Sequence, residues 1–117
     1  MASIADHWWN EDRRDLFRSV ECIASETPNL DRVGLCLDTI LNDLELYDDP
    51  RQGVGAWLYE DEIQIAERLG EKLIAATDGM NPVNAGPKAV ASIAWAEART
   101  TALQLLQLMK SNGDFAR

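Results

Sequence analysis

The sequence predicts an all-α domain, a compact four-helix bundle, and three observations carry that expectation. Apolar residues recur at three- and four-residue intervals through four separate stretches. No run alternates apolar and polar residues as a half-buried strand does, so a sheet has nothing to pair. Breakers separate the stretches: Pro28, Asp49-Pro50, Asp78-Gly79 and Asn81-Pro82. The 117 residues form one domain, 1–117, large enough to bury roughly two-thirds of the unfolded surface.

The first helix is expected over about 10–26, with Glu11 and Asp12 in the first turn, where the helix dipole favours acids. Leu16, Phe17, Val20, Ile23 and Ala24 make its apolar face and Pro28 ends it. Trp8 and Trp9 precede it and read as packing residues. The second helix is expected over 30–46, burying Leu30, Val33, Leu37, Ile40, Leu41 and Leu44. Gly34 borders that stripe and costs about 1 kcal/mol relative to Ala in a helix interior, so we expect a close crossing there. The segment 47–59, YDDPRQGVGAWLY, reads as an irregular loop whose Val54, Trp57 and Leu58 are apolar enough to pack down. A third helix over 61–77 turns Ile63, Ala66, Leu69, Leu73 and Ile74 inward, with Gly70 among them. Gly34 and Gly70 are expected to face one another or to seat a large side chain such as Trp57 or Trp95.

The fourth helix, 87–111, is the one the others are expected to surround. Pro87 suits a first helical turn, Gly113 a stop, and Ala and Leu dominate between them. Val90, Ile93, Ala94, Trp95, Ala98, Ala102, Leu105, Leu106 and Met109 cover most of its circumference, which predicts burial nearly all round. Glu97, Arg99 and Lys110 interrupt it and it is too short to span a membrane.

The order Leu44-x-Leu46-x-Asp48-Asp49-Pro50, then Val54-Gly55, then Leu58 with Glu60 to Glu62, is similar to a pattern in a family of small, uncharacterised, all-helical actinobacterial proteins. A Trp in a terminal Ala-rich helix, here Trp95, belongs to the same resemblance. It covers about a third of the chain and implies a helical fold and a bacterial cytoplasmic setting. The family has no assigned activity, so no catalytic residue comes with it.

Chemistry in this chain is limited by its residue types. The single His7 lies near the start, so a His-based nucleophilic triad is not expected. Gly53-Val54-Gly55 lacks the Lys and the preceding strand of a phosphate loop. Cys22 and Cys36 form neither a C-x-x-C pair nor a metal cluster with His7, and with no secretory leader they are expected to be reduced, in the cytoplasm. Cys22 falls opposite the apolar face of its helix with no fixed cation in view, so it reads as an accessible surface thiol. No cofactor is expected.

The acids are the more informative group. Twenty acids against eleven bases give a formal charge of −9, which argues against binding nucleic acid or an anionic membrane. Asp31, Asp38 and Glu45 line one side of the second helix, and Glu60, Glu67 and Glu71 line the third. From Asp38 to Glu71 there are ten acids and two bases, Arg51 and Arg68. These stripes read first as solvated faces. Their sharper reading is an acidic surface around Trp57 and Tyr59 that receives a basic protein, with Asp48, Asp49, Trp57, Glu60 and Asp61 as binding residues. The function expected is then a non-enzymatic interaction protein, in its most concrete form an immunity protein that occupies the cleft of a basic nuclease. Two alternatives remain open: a Mg²⁺-dependent helical hydrolase using Glu45, Asp48 and Glu67 or Glu71, and a homodimer that hides Trp8 and Trp9.

Overall fold

The computed structural model describes residues 9–27, 29–44, 46 and 58–112, with side chains from Arg13 onward. Five α-helices make up most of it: α1 (Trp9–Ala24), α2 (Leu30–Asp38), α3 (Ile63–Thr77), α4 (Gly86–Ala91) and α5 (Ala94–Asn112). There is no extended strand among the described residues.

Along α1, Leu16, Val20, Ile23 and Ala24 are buried and Phe17 packs against the same core, as their spacing requires. The helix stops two residues short of the expected end. There the Ser25 amide bonds the Cys22 carbonyl and the Ser25 hydroxyl accepts the Thr27 amide, so the chain turns at once. Asn29 caps α2 by accepting the Asp31 N–H at 3.0 Å. Val33, Leu37, Ile40, Leu41 and Leu44 are buried as expected, but Leu30, in the first turn, is 48% exposed.

The second helix does not continue as α to residue 46. Thr39–Asp43 widen into a single π turn, closed by Leu44 N–H to the Thr39 carbonyl at 2.9 Å. A regular helix would put Leu46 roughly opposite Leu44. The wider turn and the bond from Leu46 N–H to the Ile40 carbonyl instead let Leu46 enter the core with Leu44. Of the segment 47–59, Leu58 and Tyr59 are buried as a packed-down loop requires, while Val54 and Trp57 lie outside the described residues.

A short 3₁₀ turn, Glu60–Glu62, leads into α3. Ile63, Ala66, Leu69, Gly70, Leu73, Ala76 and Thr77 are its buried residues. Ile74, expected inside, is exposed, because it sits about a quarter-turn from the centre of that stripe. Asp78 takes the left-handed conformation (φ 49°) with Gly79 after it (φ 79°), and the helix ends.

The close approach expected at Gly34 is present, and among the described residues its nearest partner is the Val83 backbone, with Gly70 and Trp95 elsewhere. A methyl group on Gly34 would run into the Val83 carbonyl oxygen in the 3₁₀ turn Pro82–Asn84. At the next turn of α2, a Cβ on Gly86 would lie 3.1 Å from the Leu30 carbonyl oxygen. Backbone lies nearly on backbone here, which only glycine permits.

The continuous fourth helix also requires correction. Ser92 is extended (ψ 155°) and separates α4 from α5. α4 packs on α2 and α3, whereas α5 packs on α1 and α3, so the chain changes direction where α2 gives way to α1. The break leaves Ile93 96% exposed. Nor is α5 buried all round: Trp95, Ala98, Thr101, Ala102, Leu105, Leu106 and Met109 face inward, while Ala96, Glu97, Thr100, Leu103, Gln104 and Gln107 face solvent.

Cross-links between helices fix their directions. Arg99 near the start of α5 reaches the Ala24 carbonyl at the end of α1. Glu97 meets Lys72 late in α3, and Asn112 at the end of α5 meets Glu62 at the start of α3. α5 therefore runs antiparallel to α1 and α3. No helix of the described residues is long and apolar enough to cross a membrane.

Candidate functional site

Of the five residues expected to bind a partner, Asp48, Asp49 and Trp57 lie outside the described residues. Glu60 and Asp61 are exposed on the 3₁₀ turn that opens α3. What holds that turn is a buried polar knot that sequence reasoning missed. The Glu62 carboxylate accepts two parallel hydrogen bonds from the Arg13 guanidinium, Nη1 to Oε1 and Nη2 to Oε2, both 2.8 Å. Glu62 Oε1 also accepts the Tyr59 N–H at 3.0 Å, and Oε2 accepts the Asn112 side-chain amide at 2.9 Å. The guanidinium carbon lies 5.0 Å from the centre of the Tyr59 ring, within the range of a cation–π contact. Asn112 also donates to Asp61 at 2.9 Å. Neither Arg13 nor Glu62 is accessible to solvent, and each compensates the buried charge of the other. A signal for Arg13 did exist: it precedes Leu16, Phe17 and Val20 at helical spacing, inside the apolar stripe.

Of the carboxylates considered for a metal, only two fall among the described residues. Glu67 and Glu71 are exposed on α3, and Glu45 and Asp48 lie outside the described residues. No group of three or more ligating side chains forms among the described residues. His7 and Trp8, and the side chain of Trp9, are likewise outside them.

The cysteines behave differently from the expectation of an isolated surface thiol. The short turn after α1 folds α2 back along it, and Cys22 and Cys36 meet across the seam with their thiols hydrogen-bonded. Cys22 is half-buried and Cys36 buried. The hydrogen bond from Cys36 lowers the Cys22 thiol to about 7, against its burial and with help from the Arg32 charge. The same bond, burial and the Cys22 charge push Cys36 up, while Arg32 and the Ser19 hydroxyl oppose them. Two shallow grooves flank the seam. One, of about 420 Å³, is lined by Arg18, Glu21, Cys22 and Arg32; the other, of about 310 Å³, by Asp15, Arg18, Arg32 and Cys36. The fixed cation that the sequence did not reveal is thus Arg32, which sits beyond the turn on α2 but acts on Cys22 across the seam, and Arg18 lines the same groove.

No protein-family model, no curated protein and no solved structure matches the chain.

Proposed function

We propose that this chain is a non-enzymatic interaction protein, a four-helix bundle of α1, α2, α3 and α5 that binds a basic protein in the cytoplasm, in the manner of an immunity protein. The observation that carries the reading is the anchored acidic turn. Glu60 and Asp61 are exposed, yet the residue beside them, Glu62, is fixed by Arg13, Tyr59 and Asn112. Charges presented on an immobilised turn lose little freedom when a partner arrives, which favours association. The formal charge of −9 adds long-range attraction for a basic surface and repels nucleic acid. Asp48, Asp49 and Trp57 join this surface in the proposal, with Trp57 as the aromatic anchor amid the acids.

The test is capture of host proteins at low and at high salt on the chain immobilised through Lys72 or Lys88, away from the acidic turn, followed by mass spectrometry. The reading expects a basic protein retained at low salt, released at high salt, and lost when Asp48, Asp49, Glu60 and Asp61 are each reversed to Lys. Retention of the same protein by the charge-reversed chain, or of none by the native chain, rejects it.

A further inference from the structure

We propose that Cys22 and Cys36 form a dithiol site that reduces small anionic disulfides, Cys22 attacking, Cys36 resolving, and Arg18 and Arg32 receiving the substrate's negative groups. This site lies on the seam of α1 and α2, away from the acidic turn, and does not depend on the partner-binding reading.

Four observations converge on it. The two thiols are neighbours across the packed seam of α1 and α2, each polarising the other. Their exposure is unequal: Cys22 is half-buried on the larger groove and Cys36 is buried at the wall of the smaller one, which separates the sulfur that meets substrate from the sulfur that follows. Arg18 and Arg32 line both grooves, and neither makes an ion pair among the described residues. Around Cys22 two arginines face one glutamate, Glu21, a local excess of positive charge on a chain of net −9. A groove of that sign concentrates anions, here against the field of the whole molecule. Its size suits a small molecule of a few functional groups.

The chemistry balances with the disulfide as the oxidant. The Cys22 thiolate attacks one sulfur of R–S–S–R. A Cys22–S bond forms, the substrate S–S bond breaks, and the departing RS⁻ takes a proton from water. Cys36 then releases its proton to solvent and attacks the Cys22 sulfur. The Cys22–Cys36 bond forms and the second RS⁻ leaves. The substrate gains two electrons and becomes two thiols, and the protein dithiol loses the same two.

The groups around the seam suit both halves of that sequence. Cys22 is an ionised nucleophile near neutral pH because Cys36 donates to it and Arg32 stands nearby. Cys36 is held protonated mainly by its bond to Cys22, its burial and the Cys22 charge. Once Cys22 is in a mixed disulfide, its charge is gone and it no longer competes for the Cys36 proton. Arg32 and the Ser19 hydroxyl then favour the Cys36 thiolate against burial alone. The second thiol is thereby activated by reaction of the first.

The probes are 5,5′-dithiobis(2-nitrobenzoate), a dianionic disulfide, and cystamine, a dicationic one, each mixed with the folded full-length chain near neutral pH. Released thiol and intact protein mass are read together. The native chain is expected to release both thiols of the anionic probe and to end short of two hydrogens with no adduct. Cys36→Ser is expected to stop at an adduct on Cys22. Arg32→Gln is expected to slow the anionic probe by about fivefold and to leave cystamine no slower. A lasting adduct on the native chain shows that Cys36 does not resolve, and overturns the proposal. So does a reaction rate that rises only in urea, as cysteines exposed by unfolding would give. Equal slowing of both probes by Arg32→Gln overturns the anionic class. If Cys36→Ser does not fold, Cys36→Ala replaces it, and the mass of the oxidised native chain decides without either variant.

Discussion

Arg13 and Glu62 face one another through two parallel 2.8 Å hydrogen bonds in a site closed to water. Removing one partner takes from the other its buried, bidentate counter-charge, which costs about 3–5 kcal/mol. We expect Arg13→Met or Glu62→Leu alone to lower stability by about that amount in urea unfolding followed by circular dichroism. The double substitution, Arg13→Met with Glu62→Leu, is expected to recover much of the loss, because no charge is then left buried. Additive losses in the double variant would show that the knot acts through shape, with charge compensation secondary.

Gly34 is the second pressure point. In an exposed helix interior, replacing Gly by Ala stabilises by about 1 kcal/mol. Here the new methyl group meets the Val83 carbonyl, and α2 must move away from the Pro82–Asn84 turn. We expect Gly34→Ala to destabilise by about 1–3 kcal/mol, the range of an overpacked core site. A rise in the urea midpoint would mean that the 82–86 segment yields at no cost.

Ile93 gives a prediction of the opposite kind. Its hydropathy places it in the core, but the break at Ser92 turns it into solvent. Ile93→Lys is therefore expected to leave stability within about 0.5 kcal/mol of native, as a surface substitution does. Leu105→Ala, on the buried face of the next helix, is expected to cost about 2–5 kcal/mol. Comparable losses from the two would place Ile93 inside.

The thiol pair makes stability depend on pH with a definite sign. Unfolded, both thiols ionise at their ordinary value of 9.0; folded, the pair gives up its first proton at about 7 and holds its second well above 9.0. Between about pH 7 and pH 9 the unfolded chain binds one more proton at this pair, so stability rises with pH. Above about 9 the unfolded chain has lost both protons while the folded chain keeps one, so the contribution falls again. Urea midpoints across that range are expected to peak near pH 9 relative to those of a Cys22→Ser, Cys36→Ser chain. A difference that stays flat across the range contradicts the assignment.

Much of the helical content was legible because three- and four-residue spacing is set locally. The inner faces of α1 and α3 follow from Leu16, Val20 and Ile23, and from Ala66, Leu69 and Leu73, without reference to any neighbour. The break at Ser92 was not legible. The sequence from Lys88 to Thr101 contains neither Gly nor Pro, and the break falls where packing on α2 gives way to packing on α1, with α3 common to both sides. The π turn at Thr39–Asp43 left no trace either, since it amounts to one shifted hydrogen bond chosen so that Leu46 can be buried. Gly34 announced a close approach, but only the tertiary structure names Val83 as its partner. For the candidate sites the divide is the same. Exposure of Glu60 and Asp61 could be read from charge alone, whereas the pairings of Arg13 with Glu62 and of Cys22 with Cys36 exist only once α1 has been laid against α3 and α2.

The knot at Glu62 gathers residues from opposite ends of the chain, Arg13 early in α1 and Asn112 at the close of α5. The first helix thus enters, and the last one leaves, at the same pole of the molecule, beside the acidic turn. An anchor attached through either helix would suspend the protein by that pole and crowd Glu60 and Asp61 against whatever carries it. The seam at Cys22 stands nine residues further along α1, about 13 Å up the helix axis, and would stay open to the surrounding solution. Immobilisation through either of these helices therefore gives one orientation, in which small oxidants reach their site freely and a large partner must compete with the support.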